Sequence, residues 1–215
     1  MPIVTEMAGV NMRLEAGAIR ELHWHTSAEW AYVLKGSTQI TTVTSEGQNY
    51  VAILETYGAS LPDNLILSKP PPTTRKAQNF LLVGAITSNF SKVIPTQFLG
   101  GTIKTADSRS FKAAEQLAVA EVTVEPGAMR ELHWHPTQPE WAFFIEGYAI
   151  MTLLGAQSNA RTFDFQAGDV GYVPPSFGHY VENTGNTTLH FLEIYKSDRV
   201  QDISLMVGSD AAIAR

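Results

Sequence analysis

With 215 residues, 44% of them hydrophobic and 17% charged, the chain can bury the core of one large or two small domains. A net charge of −6 without a Lys/Arg cluster argues against nucleic acid as a partner, and no apolar run approaches the roughly 20 residues that span a bilayer. Cysteine is absent, which excludes disulfides, thiolate metal sites and cysteine nucleophiles together.

The start, MPIVTEMAGVNMRL, lacks the basic and apolar regions of a signal peptide. The expectation is therefore a cytoplasmic protein as the chain stands, and a secreted one if further residues precede it. Short strands separated by turn residues come next: VNMRL (Val10 to Leu14), IRELHWH (Ile19 to His25), WAYVL (Trp30 to Leu34), TQITTV (Thr38 to Val43) and NYVAIL (Asn49 to Leu54). Three consecutive prolines, Pro70 to Pro72, cannot donate to a sheet ladder. Strand character resumes at NFLLVGAI (Asn79 to Ile86), and residues 91–109 read as a connection. The second half repeats the scheme with AVAEVTV, MRELHWH, WAFFI, YAIMTLL, RTFDF, DVGYVP, HYVEN and LHFLEIYK, after a turn at Phe111 to Glu115. Sequons at Asn89 and Asn186 matter only in a secreted protein.

An internal repeat organises this list. Val10 to Gly36 and Val119 to Gly147 share RELHWH, then EWA, then a glycine at matching distance. The match is too long for coincidence, so the chain encodes two copies of one all-β unit, placed at residues 1–98 and 99–215. Within a strand, residues two apart share a face, so His133 and His135 project together, as do His23 and His25. Glu140 follows the second pair after PTQP, and His179 lies in a later strand. Three imidazoles and a carboxylate suit Mn2+ or Fe2+ better than Zn2+. The first copy keeps Arg20, His23, His25 and Glu29, but no histidine occurs between His25 and His133. One ligand short, it reads as an empty or weak site on an incomplete unit.

These residues resemble the cupin family, and specifically its bicupin oxalate decarboxylases. The first cupin motif is met by Gly17, His23, His25, Glu29 and Gly36, and again by Gly127, His133, His135, Glu140 and Gly147. The second is met by Gly168, Pro174, His179 and Asn183, with Ser176 where an inner glycine is usual. The resemblance implies two double-stranded β-helix barrels, the first shortened. It implies Mn2+ with dioxygen as co-catalyst, and oxalate converted to formate and CO2. An oxalate oxidase outcome, giving CO2 and hydrogen peroxide, and a non-catalytic cupin that binds metal or carboxylate are the alternatives. Family members carry a lid of the type Ser-Glu-Asn-Ser after the first barrel. Here Ser88 to Lys92 reads SNFSK, which suggests slow decarboxylation with a raised peroxide fraction.

The catalytic pair implied by the resemblance is Arg130 and Glu193. Strand alternation puts Arg130 on the face opposite His133 and His135 unless a bulge intervenes, whereas the family's matching arginine reaches the substrate. Glu193, in the apolar run LHFLEIY, reads as partly buried, which would raise its pKa and suit it to proton transfer. A divalent ion with Glu140 leaves one positive charge and Arg130 adds another, matching the dianion oxalate. His190 reads as structural, and Trp24, Trp30, Trp134 and Trp141 as barrel-wall packing. The missing strands leave a sheet edge exposed, and homo-oligomerisation stays open.

Overall fold

A computed structural model describes residues 4–25, 28–43, 49–56, 90–112, 114–205 and 213–214. Apart from a 3-10 turn at Phe90–Lys92, every regular element among them is a strand. Strands β1 (Ser37–Val43) and β2 (Asn49–Glu55) form an antiparallel hairpin of their own. The remaining strands build one unit of two facing sheets. These strands are β3 (Thr96–Phe98), β4 (Gly101–Ala106), β5 (Ala118–Val124), β6 (Met129–Trp134), β7 (Glu140–Glu146) and β8 (Tyr148–Leu154). They continue with β9 (Ala160–Gln166), β10 (Val170–Val173), β11 (Gly178–Asn183), β12 (Leu189–Tyr195), β13 (Ile203–Ser204) and β14 (Ile213–Ala214).

One sheet runs β10-β7-β12-β5-β4-β3; the other runs β13-β6-β11-β8-β9, with β14 also paired to β6. All pairings are antiparallel. Residues expected to be connection, 96–98 and 101–106, are therefore strands of the first of these sheets. They add to it because β5 offers a free edge, along which β4 pairs from Gly101↔Val124 to Ala106↔Val119.

Alternation decides what enters the interior. Along β7 the buried residues are Glu140, Ala142 and Phe144, and along β11 they are His179, Val181 and Asn183. Each strand thus sends a candidate ligand to one end and an apolar side chain to its middle. The apolar part packs Val122, Val124, Phe144, Met151, Leu189 and Phe191, all fully buried. Phe144 stacks on Phe165 and Phe191 at centroid distances of 4.5 and 5.4 Å. Each such side chain contributes about 1.5–3 kcal/mol by leaving water. Gly147 (φ 92°) turns β7 into β8, where a Cβ would lie 3.0 Å from the Leu189 Cα.

The first copy differs from its expectation. No strand forms over residues 4–25 or 28–36, so VNMRL, IRELHWH and WAYVL are not strands here. The physical reason lies in their partners. In the second copy β6 is bonded to β11, and β7 to β10 and β12; the first copy has no sequence equivalent to β11. Ile19, Leu22 and Trp24 are left 86, 77 and 87% exposed, so Trp24 is no barrel wall. Trp30 and Tyr32 do pack, against Ala106, Val119 and Leu192 on the outer face of the second unit, and the Tyr32 hydroxyl donates to Glu121. Pro70 to Pro72 and the strand expected at Asn79 to Ile86 lie outside the described residues.

Candidate metal centre

A bulge settles the position of Arg130. In the β11–β6 ladder His179 pairs with His133 and Val181 with Arg130, so two residues on β11 span three on β6. The extra residue rotates the upstream part of β6 by one face, and Arg130 then joins His133 and His135 inside the barrel. Arg130, His133, His135, Glu140, His179 and Glu193 are all no more than 1% exposed. The structure thus brings together every site residue expected in the second half. His190 lies outside, 3.6 Å from Glu121.

The turn between β10 and β11 sets His179. Ser176, in place of the usual glycine, still adopts φ 65°, a conformation that strains residues with a Cβ. Its amide donates to the His135 carbonyl (2.8 Å) and its hydroxyl to the Pro136 carbonyl (2.9 Å), tying the two motifs to each other. Asn183 closes the far end of β11, its amide donating to Val124 and Thr187 carbonyls at 2.8 Å each.

Each histidine presents Nε2 to the centre because its Nδ1 is occupied outward. His133 Nδ1 donates to the Glu131 carbonyl (2.7 Å), His179 Nδ1 to Phe177 (3.1 Å), and His135 Nδ1 to Gln201 (2.9 Å). Such bonds select the tautomer a metal requires. Glu140 Oε2 lies 2.9 Å from His135 Nε2 and 3.0 Å from His179 Nε2. Two buried atoms at the same point, His133 Nε2 and Glu140 Oε1, have no hydrogen-bond partner among the described residues. One ligand atom from each of the four residues falls within 4.8 Å of the others. Orphaned buried lone pairs converging in this way are what a bound divalent cation would satisfy. The residues fit the ion that the donor set implies.

Electrostatics agree. Burial, reinforced by Arg130, holds His133 well below its ordinary pKa, so the imidazole is neutral and ready to ligate. Burial would lower His135 too, but hydrogen bonds to Asp202 and Glu140 raise it to about 10. Metal uptake must therefore expel a proton there. Burial would raise Glu140, yet His179 and His135 hold it below the carboxylate range.

Two residues that sequence reasoning missed complete the site. Asp202, just before β13, bonds Arg130 Nη2 through Oδ2 and lies 3.1 Å from His135 Nδ1 through Oδ1. The Tyr195 hydroxyl donates to Glu193 Oε2 (2.7 Å), and its ring packs 4.8 Å from His135. Arg130 Nε donates to Glu193 Oε1 (3.2 Å), so one guanidinium joins two carboxylates. Burial pushes Glu193 up despite Arg130, whereas for Asp202 the attraction of Arg130 overcomes burial and pulls it down. Asp202 also corrects the charge count, removing one of the two positive charges set against oxalate. Tyr195 could have been flagged from its spacing to Glu193 on β12. Asp202 follows an irregular loop and carries no spacing signal.

The first copy's group is a surface version of the same set. His25 Nε2 lies 3.0 Å and His23 Nε2 3.8 Å from Glu29 Oε2, while Arg20 Nε contacts His23 Nε2 at 3.3 Å. All three candidate ligands are exposed, and among the described residues no third histidine joins them.

A family model described as Cupin matches the chain twice, over residues 4–94 and 88–214. The chain belongs to the cupin family. Within it, this cupin sits among the bicupin oxalate decarboxylases. Oxalate decarboxylase OxdC of Bacillus subtilis (strain 168) is 36% identical, over 95% of this chain and 71% of the relative. That alignment runs over 279 positions, more than the 215 residues present here, so the relative carries stretches this cupin lacks. A probable oxalate decarboxylase of Arthroderma benhamiae is 34% identical over 100% of this chain and 72% of its own. Among solved structures, one of the B. subtilis enzyme devoted to its Mn(II) centres superposes with a TM-score of 0.75 at 33% identity. It covers 86% of this cupin and 67% of that chain.

Proposed function

We propose that this cupin is a manganese-dependent oxalate decarboxylase, a carbon–carbon lyase that turns oxalate and a proton into formate and CO2. The observation that carries the reading is the buried Arg130–Glu193 pair on the inner wall that also holds His133, His135, Glu140 and His179. Bound manganese would supply Lewis-acid and one-electron chemistry, with dioxygen as co-catalyst. The four ligands would hold it in residues 99–215. Residues 1–98 are read as a shortened unit whose His23, His25 and Glu29 hold an ion weakly or not at all.

Arg130 places a permanent positive charge where negative charge grows as the C–C bond breaks, in a site from which water is largely excluded. CO2 leaves, and the carbon left behind takes a proton to become formate, so the overall reaction is redox-neutral. Glu193 is the proton donor, because burial favours its neutral form at pH values where an exposed carboxyl would be ionised. The Tyr195 hydroxyl can donate to the ionised carboxylate or accept from the protonated one. Oε2 can therefore hold the proton without losing its partner.

The test is a single oxalate digest of Mn-loaded protein, with formate and peroxide both measured. Formate as the main product beside a minor peroxide fraction, with formate lost in Glu193→Gln while metal content is unchanged, is the expected result. Peroxide without formate would mean that oxalate is oxidised by dioxygen to two CO2, an oxidase outcome. Neither product from the fully loaded protein would leave a metal-binding cupin without this activity.

A further inference from the structure

The ligand histidines are not held alike. His133 and His179 each donate Nδ1–H to the carbonyl two residues earlier in the chain, Glu131 on β6 and Phe177 just before β11. Their orientation is secured locally. His135 instead reaches 66 residues along the chain to Gln201 O at 2.9 Å, and to the next residue's Asp202 Oδ1 at 3.1 Å. The other carboxylate oxygen of Asp202 is bonded to Arg130 Nη2. A single side chain from the tail after β12 therefore touches both a candidate metal ligand and the arginine that faces the substrate.

The backbone around Asp202 is fixed to the same strand. Ile203 pairs with Trp134, Ser204 with His133, and the Leu205 amide donates to Leu132 O at 3.3 Å. Asp202 is the outermost of the group: its side chain is 25% exposed, whereas those of Arg130, His135 and Glu193 are 0, 1 and 1% exposed. It is the middle link of the chain Glu193–Arg130–Asp202–His135–Glu140, in which carboxylates and cationic or imidazole groups alternate.

We propose that Asp202 is a positioning residue that sets the ligand strength of His135 and the plane of the Arg130 guanidinium together. The proposal rests on the metal and oxalate reading above. A carboxylate on the outer nitrogen of a ligating imidazole fixes its ring and makes it a stronger donor to the metal. A carboxylate on Nη2, opposite the Glu193 carboxylate on Nε, stops the planar guanidinium from turning about its Cδ–Nε bond. One residue thus fixes two geometries that the reaction requires simultaneously, and they cannot drift apart without breaking one of its bonds. The opposite role would be that of an internal anion competing with substrate for Arg130. The second bond, to His135, argues against it, since vacating Arg130 would strain both contacts.

Asp202→Asn removes the charge and keeps the shape, and Asp202→Glu keeps the charge. Asp198→Asn is the control, as Asp198 is about half exposed and pairs with Arg199 and Ser108. Mn2+ affinity is measured by titration without oxalate, the Mn(II) EPR spectrum is recorded, and kcat and KM are determined separately. In Asp202→Asn, affinity should fall about 10- to 100-fold, as on loss of a partner of a metal-bound histidine. The EPR line shape should change, and kcat should fall more than KM rises. Asp202→Glu should restore most of the affinity, and the control should match wild type. Unchanged affinity and spectrum in Asp202→Asn would overturn the proposal. So would a lower KM with undiminished kcat, which is the signature of a competing internal anion. The affinity and EPR measurements need no turnover, so they judge Asp202 even if the protein proves inactive on oxalate.

Discussion

Replacing Arg130 by lysine separates charge from geometry. The guanidinium joins Glu193 Oε1 through Nε and Asp202 Oδ2 through Nη2, on a fully buried side chain. Lysine retains the charge but carries it on one ammonium at the end of a flexible stem, which cannot reach both carboxylates in the same plane. One charge-assisted hydrogen bond is then lost, worth about 1.5–3 kcal/mol. That is less than the roughly 3–5 kcal/mol of an unpaired buried charge, so the fold should survive. At about 2–4 °C per kcal/mol for a chain of this size, melting should drop by about 3–12 °C. Metal content should stay near wild type, because none of the four ligands is altered. Turnover should fall on the order of 10² to 10³, the usual cost of losing one well-placed donor to transition-state charge. The assay is kcat on oxalate, normalised to bound manganese, beside a thermal melt. Wild-type turnover in a metal-loaded, slightly destabilised protein would refute the reasoning and leave Arg130 a structural residue.

Elemental analysis should find about one tightly bound manganese per chain, absent in His133→Ala and unchanged in His23→Ala; close to two per chain would show the exposed first group to be a full site. Chelation should lower the melting temperature, since free ion at 100 times its dissociation constant stabilises by about 2.7 kcal/mol, or about 5–10 °C; identical melts with and without chelator would argue against the buried site. The acid limb of stability should carry a contribution from Glu121. Burial would raise its pKa, but His190 and Lys104, the latter 2.9 Å away, pull it below the ordinary value of 4.5. A depressed folded pKa means stability that is present above pH 4.5 and lost as pH falls through the folded value. Glu121→Gln should therefore be less stable by about 1–3 kcal/mol at pH 7 and equal to wild type in strong acid, as urea titrations at both pH values would show. A difference persisting unchanged in acid would exclude the linkage.

Local pattern alone determined much of this molecule. Alternating apolar residues and turn glycines place β5, β7, β8, β11 and β12 within a residue or two of their observed bounds, because strand periodicity is written at short range. The four candidate ligands follow for the same reason: their spacing in two motifs reflects how neighbouring strands present one face. Contacts between distant segments could be decided only by the folded chain. The face of Arg130 depends on a bulge, whose extra residue on β6 is invisible until β11 is laid beside it in register. The tail carrying Asp202 has no periodicity, and its role arises from where β13 meets β6. The first copy makes the same point in reverse. Its RELHWH has the pattern of the strand β6, yet residues 19–25 form none, because a strand needs a neighbour to take its backbone hydrogen bonds and cover its apolar side chains.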